Sequence, residues 1–505
     1  RDLHVTSTPA TPPHDLLESS SPPELLFLNH NTKWLQTMAP KIDPDVGCVI
    51  PEPGEWPVDP QEDVSIKEDR LWIDGCFDFF HHGHAGVMLQ SRRFGDELWV
   101  GLHNDEDIAA NKGPTVMNLA ERVAAVDACR FSTKCVPHAP YVTSIPWISH
   151  YGCQYVTHGD DITSDASGND CYRFVKKAGR MKIVPRTPGI STTDLVGRML
   201  ECTKDHFIKS LIDCINGQEG PGDEAERLEQ AEEMAKRIRE YAAAPNGRDP
   251  FVEVWSYKPE QLLNGSTNGL PPSKAAYTKI VSGTPPRAGQ RIVYVDGGFD
   301  LFSSGHIAFL KLVSKLEEDH GRDSGWYTEA AKQKRISESG EDYPPAYVIA
   351  GIHDDEVINS HRGVNYPIMN VFERGLCVIQ CTYIHAVIFG APYKPTKNYL
   401  ESLSGKAPDV VYHGPTAFMP PSTLEGDPYA DAKALGIFLE TPKHDFQDVN
   451  AEHIVKRIMA RRKDYEERQR KKGVKAVGEE AHRRRELLEQ EAAMEREQKM
   501  RQSAQ

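Results

Sequence analysis

Apolar and polar residues along the chain fall into blocks that switch between two periods. Leu71-Trp72-Ile73 is a short apolar run closed by Asp74-Gly75, the pattern of a buried strand ending in a tight turn. From His84 to Phe94 the apolar residues Ala85, Val87, Met88 and Leu89 suit one helical face. Glu97 to Leu102 then reads as the next strand. Strand, helix and strand in that order predict a β-α-β unit, and with it a parallel sheet with right-handed crossovers.

The pattern occurs twice. Asp74-Gly75-Cys76-Phe77-Asp78-Phe79-Phe80-His81-His82-Gly83-His84 is matched by Asp296-Gly297-Gly298-Phe299-Asp300-Leu301-Phe302-Ser303-Ser304-Gly305-His306. Further matches follow in order: Gly101-Leu102-His103 with Gly351-Ile352-His353, Glu121-Arg122 with Glu373-Arg374, Ala139-Pro140-Tyr141 with Ala391-Pro392-Tyr393, and His158-Gly159 with His413-Gly414. Collinear matches of this kind mark a duplicated domain whose period is far too long for a solenoid. The spacing widens in the second copy, and the polar stretch from Glu317 to Pro345 accounts for it as a surface loop. The expected architecture is α/β, with two tandem Rossmann-like domains at 68–205 and 289–460. Residues 1–67, rich in Pro, Ser and Thr, are expected to be disordered, and Met38 is a candidate start of the native chain. Residues 206–288 read as a linker with a charged helix over Asp223 to Ala244, and 461–505 as a charged, solvated helical tail.

Composition narrows the function classes. A chain of 505 residues is too long for one core, and a hydrophobic fraction of 39% leaves room for disordered ends. The formal net charge of -15 argues against nucleic acid or anionic membranes as partners, yet allows a local cationic pocket. No apolar run approaches the ~20 residues that span a bilayer, and the tail lacks the aromatic-anchored apolar face of a membrane-surface helix. The cysteines are scattered without a C-x-x-C pair, and Cys377 and Cys381 have no His or Cys neighbour to suggest zinc. Reduced thiols in a cytoplasmic protein, with no protein-held metal, are expected.

The candidate chemistry lies in the first copy. His81 and His84 stand where a strand turns into a helix, so free backbone N–H groups and two imidazoles share one side of the first turn, and Gly83 lets backbone come close. Two polar residues at a helix start would have the same spacing. Lys112, placed after the third strand-turn region, offers a flexible cation. Arg186-Thr187-Pro188-Gly189-Ile190-Ser191-Thr192-Thr193-Asp194 puts an arginine, a glycine turn and three hydroxyls ahead of a helix over Leu195 to Leu200, which is both an N-cap and a second anion site. Capping alone would explain Ser191 to Asp194, but not Arg186 and Gly189.

H-x-G-H at His81 to His84 together with R-T-x-G-I-S-T-T-D at Arg186 to Asp194 resembles the signature pair of the cytidylyltransferase family, and the duplication resembles its tandem-domain, ethanolamine-phosphate branch over roughly residues 68–460. The resemblance implies that His81, His84, Lys112 and Arg186 are catalytic, stabilising the CTP phosphates as pyrophosphate leaves. It further implies CTP contacts from Gly75, Cys76, Phe77, Gly83, His158, Asp160, Asp161, Gly189, Ile190, Ser191 and Thr192, with Mg²⁺ carried on the CTP. It implies CTP and phosphoethanolamine as partners, and leaves room for a homodimer.

Phosphocholine members of the family typically read A-P-W and D-D-I-P-Y where this chain has Ala139-Pro140-Tyr141 and Asp160-Asp161-Ile162-Thr163-Ser164, so one wall of an aromatic cage is missing. A primary ammonium needs acceptors instead. Asp74 is the candidate carboxylate, with capping of the turn as its other reading, and Tyr141 is a second candidate contact. In the second copy Ser303 replaces the first histidine, Arg362 stands near the lysine position, and the R-T-x-G-I-S-T-T-D segment has no clear counterpart. Gly297, Gly298, His306, His413 and Gly414 remain there as a degenerate nucleotide site. Alternatives are a phosphocholine or glycerol-phosphate cytidylyltransferase, or a CTP-binding sensor without turnover.

Overall fold

The computed structural model describes residues 40–161, 163–258, 276–403, 407–415, 426–468 and 470. The expectations placed on residues 1–39, Met38 among them, and on 471–505 lie outside these.

In the first copy the strands are β1 (Lys67–Gly75), β2 (Glu97–Leu102), β3 (Lys134–Pro137), β4 (Cys153–Gly159) and β5 (Met181–Val184). They are linked by α1 (His82–Arg92), α2 (Asp105–Lys112), α3 (Leu119–Asp127), α4 (Ile145–His150) and α5 (Arg173–Lys177), and α6 (Thr192–Glu201) follows β5. All pairings are parallel, in the order β3-β2-β1-β4-β5, with Asp74 opposite Gly101. The predicted β-α-β unit is therefore present, and the strand order reverses beside β1, where such sheets open a crevice.

Helices α7 (Leu211–Ile215) and α8 (Glu224–Tyr241) come next, then β6 (Glu253–Tyr257) and β7 (Tyr277–Val281). The second copy follows with β8 (Arg291–Gly297), α9 (Ser304–Asp323), α10 (Glu329–Ser339), β9 (Ala346–Ile352), α11 (Asp355–Arg362), α12 (Val371–Ile379) and β10 (Ala386–Phe389). It ends with α13 (Lys397–Ser402), β11 (Val410–His413), α14 (Ala430–Ala434), β12 (Phe438–Glu440) and α15 (Ala451–Ala460). Its sheet runs β12-β11-β8-β9-β10-β6-β7, the first copy's order extended at one edge. The region expected to be only a linker thus supplies β6, parallel to β10, and β7, antiparallel to β6.

Three further expectations are corrected. Residues 40–67 are not disordered: Trp56 is buried and stacks on His150 with ring centroids 3.5 Å apart, and Trp147 Nε1 donates to Val49 O. The stretch from Glu317 to Pro345 is mostly helix, because its Glu, Lys, Ala and Arg content favours helix as much as solvent. Two charges within it are buried and paired, Glu317 with Arg291 and Arg335 with Asp342. The start of the tail is not simply solvated either, since the helical stretch 462–468 buries Tyr465 to 2% exposure.

One apolar cluster spans both copies, from Leu71 and Met88 to Val293 and Leu376. Contacts between the copies come in reciprocal pairs, as a local two-fold relation requires. Helix α1 packs on α12 and α3 on α9. Cys129 pairs with its own counterpart Cys381 in an antiparallel bridge. Beside it the buried Arg130 guanidinium donates to the carbonyls of Ile379, Cys381 and Ile384 at 2.7–2.8 Å. Arg198 of α6 grips Glu373 of α12 through two bonds of 2.7 and 2.8 Å. Arg457 of α15 grips Glu121 of α3 through bonds of the same lengths. Stranding a buried carboxylate costs about 3–5 kcal/mol, so these two clamps lock the copies together.

Candidate active site

A cavity of about 900 Å³ opens at the C-terminal ends of β1 and β4. Its floor is the turn after β1, where Phe77 and Phe79 adopt left-handed backbone with φ of 50° and 49°. Their counterparts Phe299 and Leu301 do the same at 50° and 48°, so both copies hold a turn that ordinary side chains disfavour. Asp78 fixes the turn by accepting from the Val116 and Met117 amides at 3.0 and 2.9 Å, which ties it to the loop after α2.

The histidines sit at the N-terminus of α1. His81 is the N-cap, and its Nδ1 accepts from the Gly83 amide at 3.1 Å, so the neutral ring carries its proton on Nε2. The His84 ring stacks on it with centroids 3.9 Å apart. Gly83 is needed because a Cβ there would lie 2.8 Å from Ile190 Cγ2 and 2.9 Å from the His81 ring. Burial, reinforced by the positive charge of Lys112, holds the His84 pKa down at about 3. Its buried Nδ1 has no hydrogen-bond partner among the described residues. A polyanion would relieve both conditions at once.

Lys112 does not follow a third strand-turn region. It is the last residue of α2, directly after β2, where Gly113 at φ +90° ends the helix. Its ammonium lies 5.8 Å from the Tyr141 ring centroid. Across the cavity, Gly189 at φ +82° turns the chain into α6. Ser191 is the N-cap, accepting from the Asp194 amide at 3.1 Å and donating to its carboxylate at 2.7 Å. Thr192 Oγ1 donates to Asp78 O at 3.2 Å. The first turn of α6 thereby lines the cavity beside Arg186, through Ser191, Thr192 and Thr193.

Asp74 does more than cap a turn. Its carboxylate accepts from Trp72 Nε1 at 2.9 Å, Thr143 Oγ1 at 2.7 Å and Tyr172 OH at 2.8 Å, and its edge faces the cavity. The structure gathers Asp74, Gly75, Cys76, Phe77, His81, Gly83, His84, Lys112, His158, Asp161, Arg186, Ile190, Ser191 and Thr192 around this one cavity. It leaves three candidates behind it. Tyr141 packs against His103 beneath Lys112, Gly189 shapes the turn, and Asp160 braces the Arg186 amide at 3.2 Å. Sequence reasoning missed Asp78, Tyr172 and the tail residues Lys463 and Arg468, the last two of which line the cavity. A signal existed for two of these, because Asp78 recurs as Asp300 and Asp170-Cys171-Tyr172 as Asp427-Pro428-Tyr429. Among the described residues no cluster of three His, Cys, Asp or Glu could hold a metal ion.

The second copy keeps half of this arrangement. Tyr429 OH donates to Asp296 at 2.6 Å, as Tyr172 does to Asp74, and burial pushes the Asp296 carboxyl up to about 7. His413 lies against Tyr429 and bonds to Gly414 O at 2.7 Å, as His158 does with Tyr172 and Gly159. Gly298 gives its carbonyl to Arg374, and Gly297 ends β8. The phosphate half has changed. His306 Nδ1 accepts from the Ser303 amide at 3.1 Å, so the imidazole caps its own helix. Asp445 and Asp448 precede α15 where Arg186 and Gly189 precede α6, which replaces a cation with carboxylates.

Known proteins agree with this geometry. A family model described as cytidylyltransferase-like matches residues 72–198. An ethanolamine-phosphate cytidylyltransferase of Dictyostelium discoideum is 36% identical over 81% of this chain and 96% of its own length. One of Mus musculus is 37% identical over 81% and 90% respectively. A choline-phosphate cytidylyltransferase of Arabidopsis thaliana is 35% identical, but over only 29% of this chain and half of its own length. The similarity to the first two runs through both copies and the interface between them, and the chain belongs to the ethanolamine-phosphate cytidylyltransferase family.

Proposed function

We infer that the protein transfers the cytidylyl group of CTP to phosphoethanolamine, giving CDP-ethanolamine and pyrophosphate for phosphatidylethanolamine synthesis. The observation that carries this reading is one cavity that brings together Lys112, Arg186, the N-termini of α1 and α6 and the buried Asp74 carboxylate. A phosphate oxygen of phosphoethanolamine attacks the α-phosphorus of CTP in line, and the bond to the bridging oxygen breaks as pyrophosphate leaves. Charge gathers on the leaving phosphates, where His81 and His84 donate and Lys112 and Arg186 lie close. Asp74, held by three donors, receives the substrate ammonium. No covalent intermediate is required, so catalysis is positioning plus electrostatics.

Mg²⁺ is proposed to arrive on the triphosphate, held by phosphate oxygens and water rather than by a protein cage. A cytoplasmic setting suits ten cysteines that are all free. No helix among the described residues is long and apolar enough to cross a membrane. A homodimer would have to use a surface other than the one the two copies already bury in each other. The test is pyrophosphate release from CTP with phosphoethanolamine, phosphocholine and glycerol 3-phosphate in parallel. Preference for phosphoethanolamine is expected. Another preferred acceptor would overturn the role of Asp74, and silence with all three would overturn the reaction.

A further inference from the structure

The loop that follows Lys112 is held from outside its own domain. Arg457, near the end of α15, donates to Val116 O at 3.3 Å while it grips Glu121. Tyr465 OH donates to Thr115 O at 3.1 Å. Arg468 Nη1 donates to Pro114 O at 2.7 Å. Three successive carbonyls, Pro114, Thr115 and Val116, are thus tied to one strap that leaves the second copy and crosses to the cavity of the first.

The strap also carries charge into the site. The Arg468 guanidinium stands 3.7 Å from the buried Asp78 carboxylate, the group that pins the same loop through the Val116 and Met117 amides. Its aliphatic stem lies against Gly113, where an added Cβ would be 3.6 Å from Arg468 Cγ. Arg461, Lys463 and Arg468 line the cavity together with Lys112, His84 and Arg186, with the strap carboxylates Asp464 and Glu467 among them. The second copy offers an internal comparison. Asp300 accepts from the Ile368 and Met369 amides as Asp78 does from Val116 and Met117, and His206 Nε2 donates to Pro367 O where Tyr465 donates to Thr115 O. Among the described residues, the guanidinium beside the carboxylate occurs in the first copy only.

We propose that the strap 457–468 completes the CTP site, with Arg468 as the positioning residue that fixes the Lys112 loop and adds positive charge beside the triphosphate. The proposal rests on the CTP reading of the cavity. It assigns the second copy a task in the reaction, which is to deliver the strap to the copy that performs the chemistry. Asp78 and Asp300 are both buried and each is held by two amides, and Arg468 adds to Asp78 alone a counter-charge that depends on the strap being docked.

The test uses the full chain and three variants. Arg468→Ala should raise KM for CTP about tenfold, the usual worth of a charge-assisted hydrogen bond, and lower kcat severalfold. KM for phosphoethanolamine should stay within about twofold, because Arg468 bonds to Pro114 and stands by Asp78, whereas Asp74 is held by Trp72, Thr143 and Tyr172. Arg468→Lys should recover part of the CTP affinity by restoring charge without the planar fork. Tyr465→Phe should raise KM for CTP about threefold without opening a cavity, which keeps the proposal testable if Arg468→Ala folds poorly. Hydrogen exchange in the absence of nucleotide should show faster exchange at the Val116 and Met117 amides in Arg468→Ala. An unchanged KM for CTP in both Arg468→Ala and Tyr465→Phe, with the parent enzyme active, would overturn the proposal and leave the function standing. An inactive parent would overturn the function, and the exchange rates would then judge the strap by itself.

Discussion

Gly83→Ala separates the two things the α1 N-terminus does. A methyl group at this position would lie 2.8 Å from Ile190 Cγ2 and 2.9 Å from the Cε1 and Nδ1 atoms of His81. Ordinary carbon contacts begin near 3.5 Å, so the imidazole must move by about 0.6 Å or more. It cannot do so while keeping both the 3.1 Å bond from the Gly83 amide and the 3.9 Å stack on His84. A displacement of about 1 Å in a group that meets the transition state costs about 100-fold in rate. Folding pulls the other way, since alanine in place of glycine within a helix favours the folded state by about 0.5–1 kcal/mol. The expected result is a fall of about 100-fold in kcat for pyrophosphate release, with a melting temperature within a few degrees of the parent. A kcat within threefold of the parent at unchanged stability would refute the reasoning, for it would mean that the His81 ring need not stand where it does.

His84→Ala should lower kcat by about 100- to 1000-fold, the loss that follows removal of one transition-state donor, and steady-state turnover at saturating CTP measures it. Ser303→Ala should leave turnover within about threefold yet cost about 1 kcal/mol in urea unfolding, because Ser303 caps α9 and its hydroxyl donates to Val449 O at 2.7 Å. Stability should fall with acid. Burial holds His82, His306, His353 and His385 at about 4 and His84 at about 3, against an ordinary 6.5. At these five histidines the unfolded chain binds more protons than the folded one between those values, while the buried carboxyls of Asp296, at about 7, and Asp300 and Asp354, at about 6, act the other way. The histidines outweigh them, so stability falls as pH drops from 6.5 towards 4. Equal urea midpoints at pH 7 and pH 5 would contradict this.

Much of the fold could be read from the text because the duplication prints the five strands of the first sheet and the helices between them twice. Glu97 to Leu102 is β2 as expected, and Asp223 to Ala244 contains α8. The misreadings have physical causes. Glu253–Tyr257 and Tyr277–Val281 are short, lie in a Pro- and Gly-rich setting, and gain strand identity only from the open edge of β10. Trp56 and Tyr465 are lone aromatics in polar surroundings, with no period to reveal that each fills a pocket. Within the site, residues at helix starts were legible because capping and anion binding use the same side chains. Tyr172 and Thr143 were not, since a hydroxyl that orients a carboxylate has no spacing of its own. Arg468 lay hidden among the many charges of a run whose composition reads as solvated.

The antiparallel meeting of Cys129 with Cys381 has a consequence during synthesis. The first copy emerges with Arg130 and its apolar surroundings uncovered, and the carbonyls that Arg130 needs belong to residues made much later. At translation rates of about 5–20 residues per second, the wait from the end of the first copy to the end of the second is roughly ten to fifty seconds. Over that interval the nascent first half is a fold with one open face, matched in shape to any second half within reach. Neighbouring ribosomes on one message would present such a half in trans, and the same contacts would then join two chains crosswise. The seam that makes the finished molecule one cooperative body is therefore also its most exposed liability while it is being made.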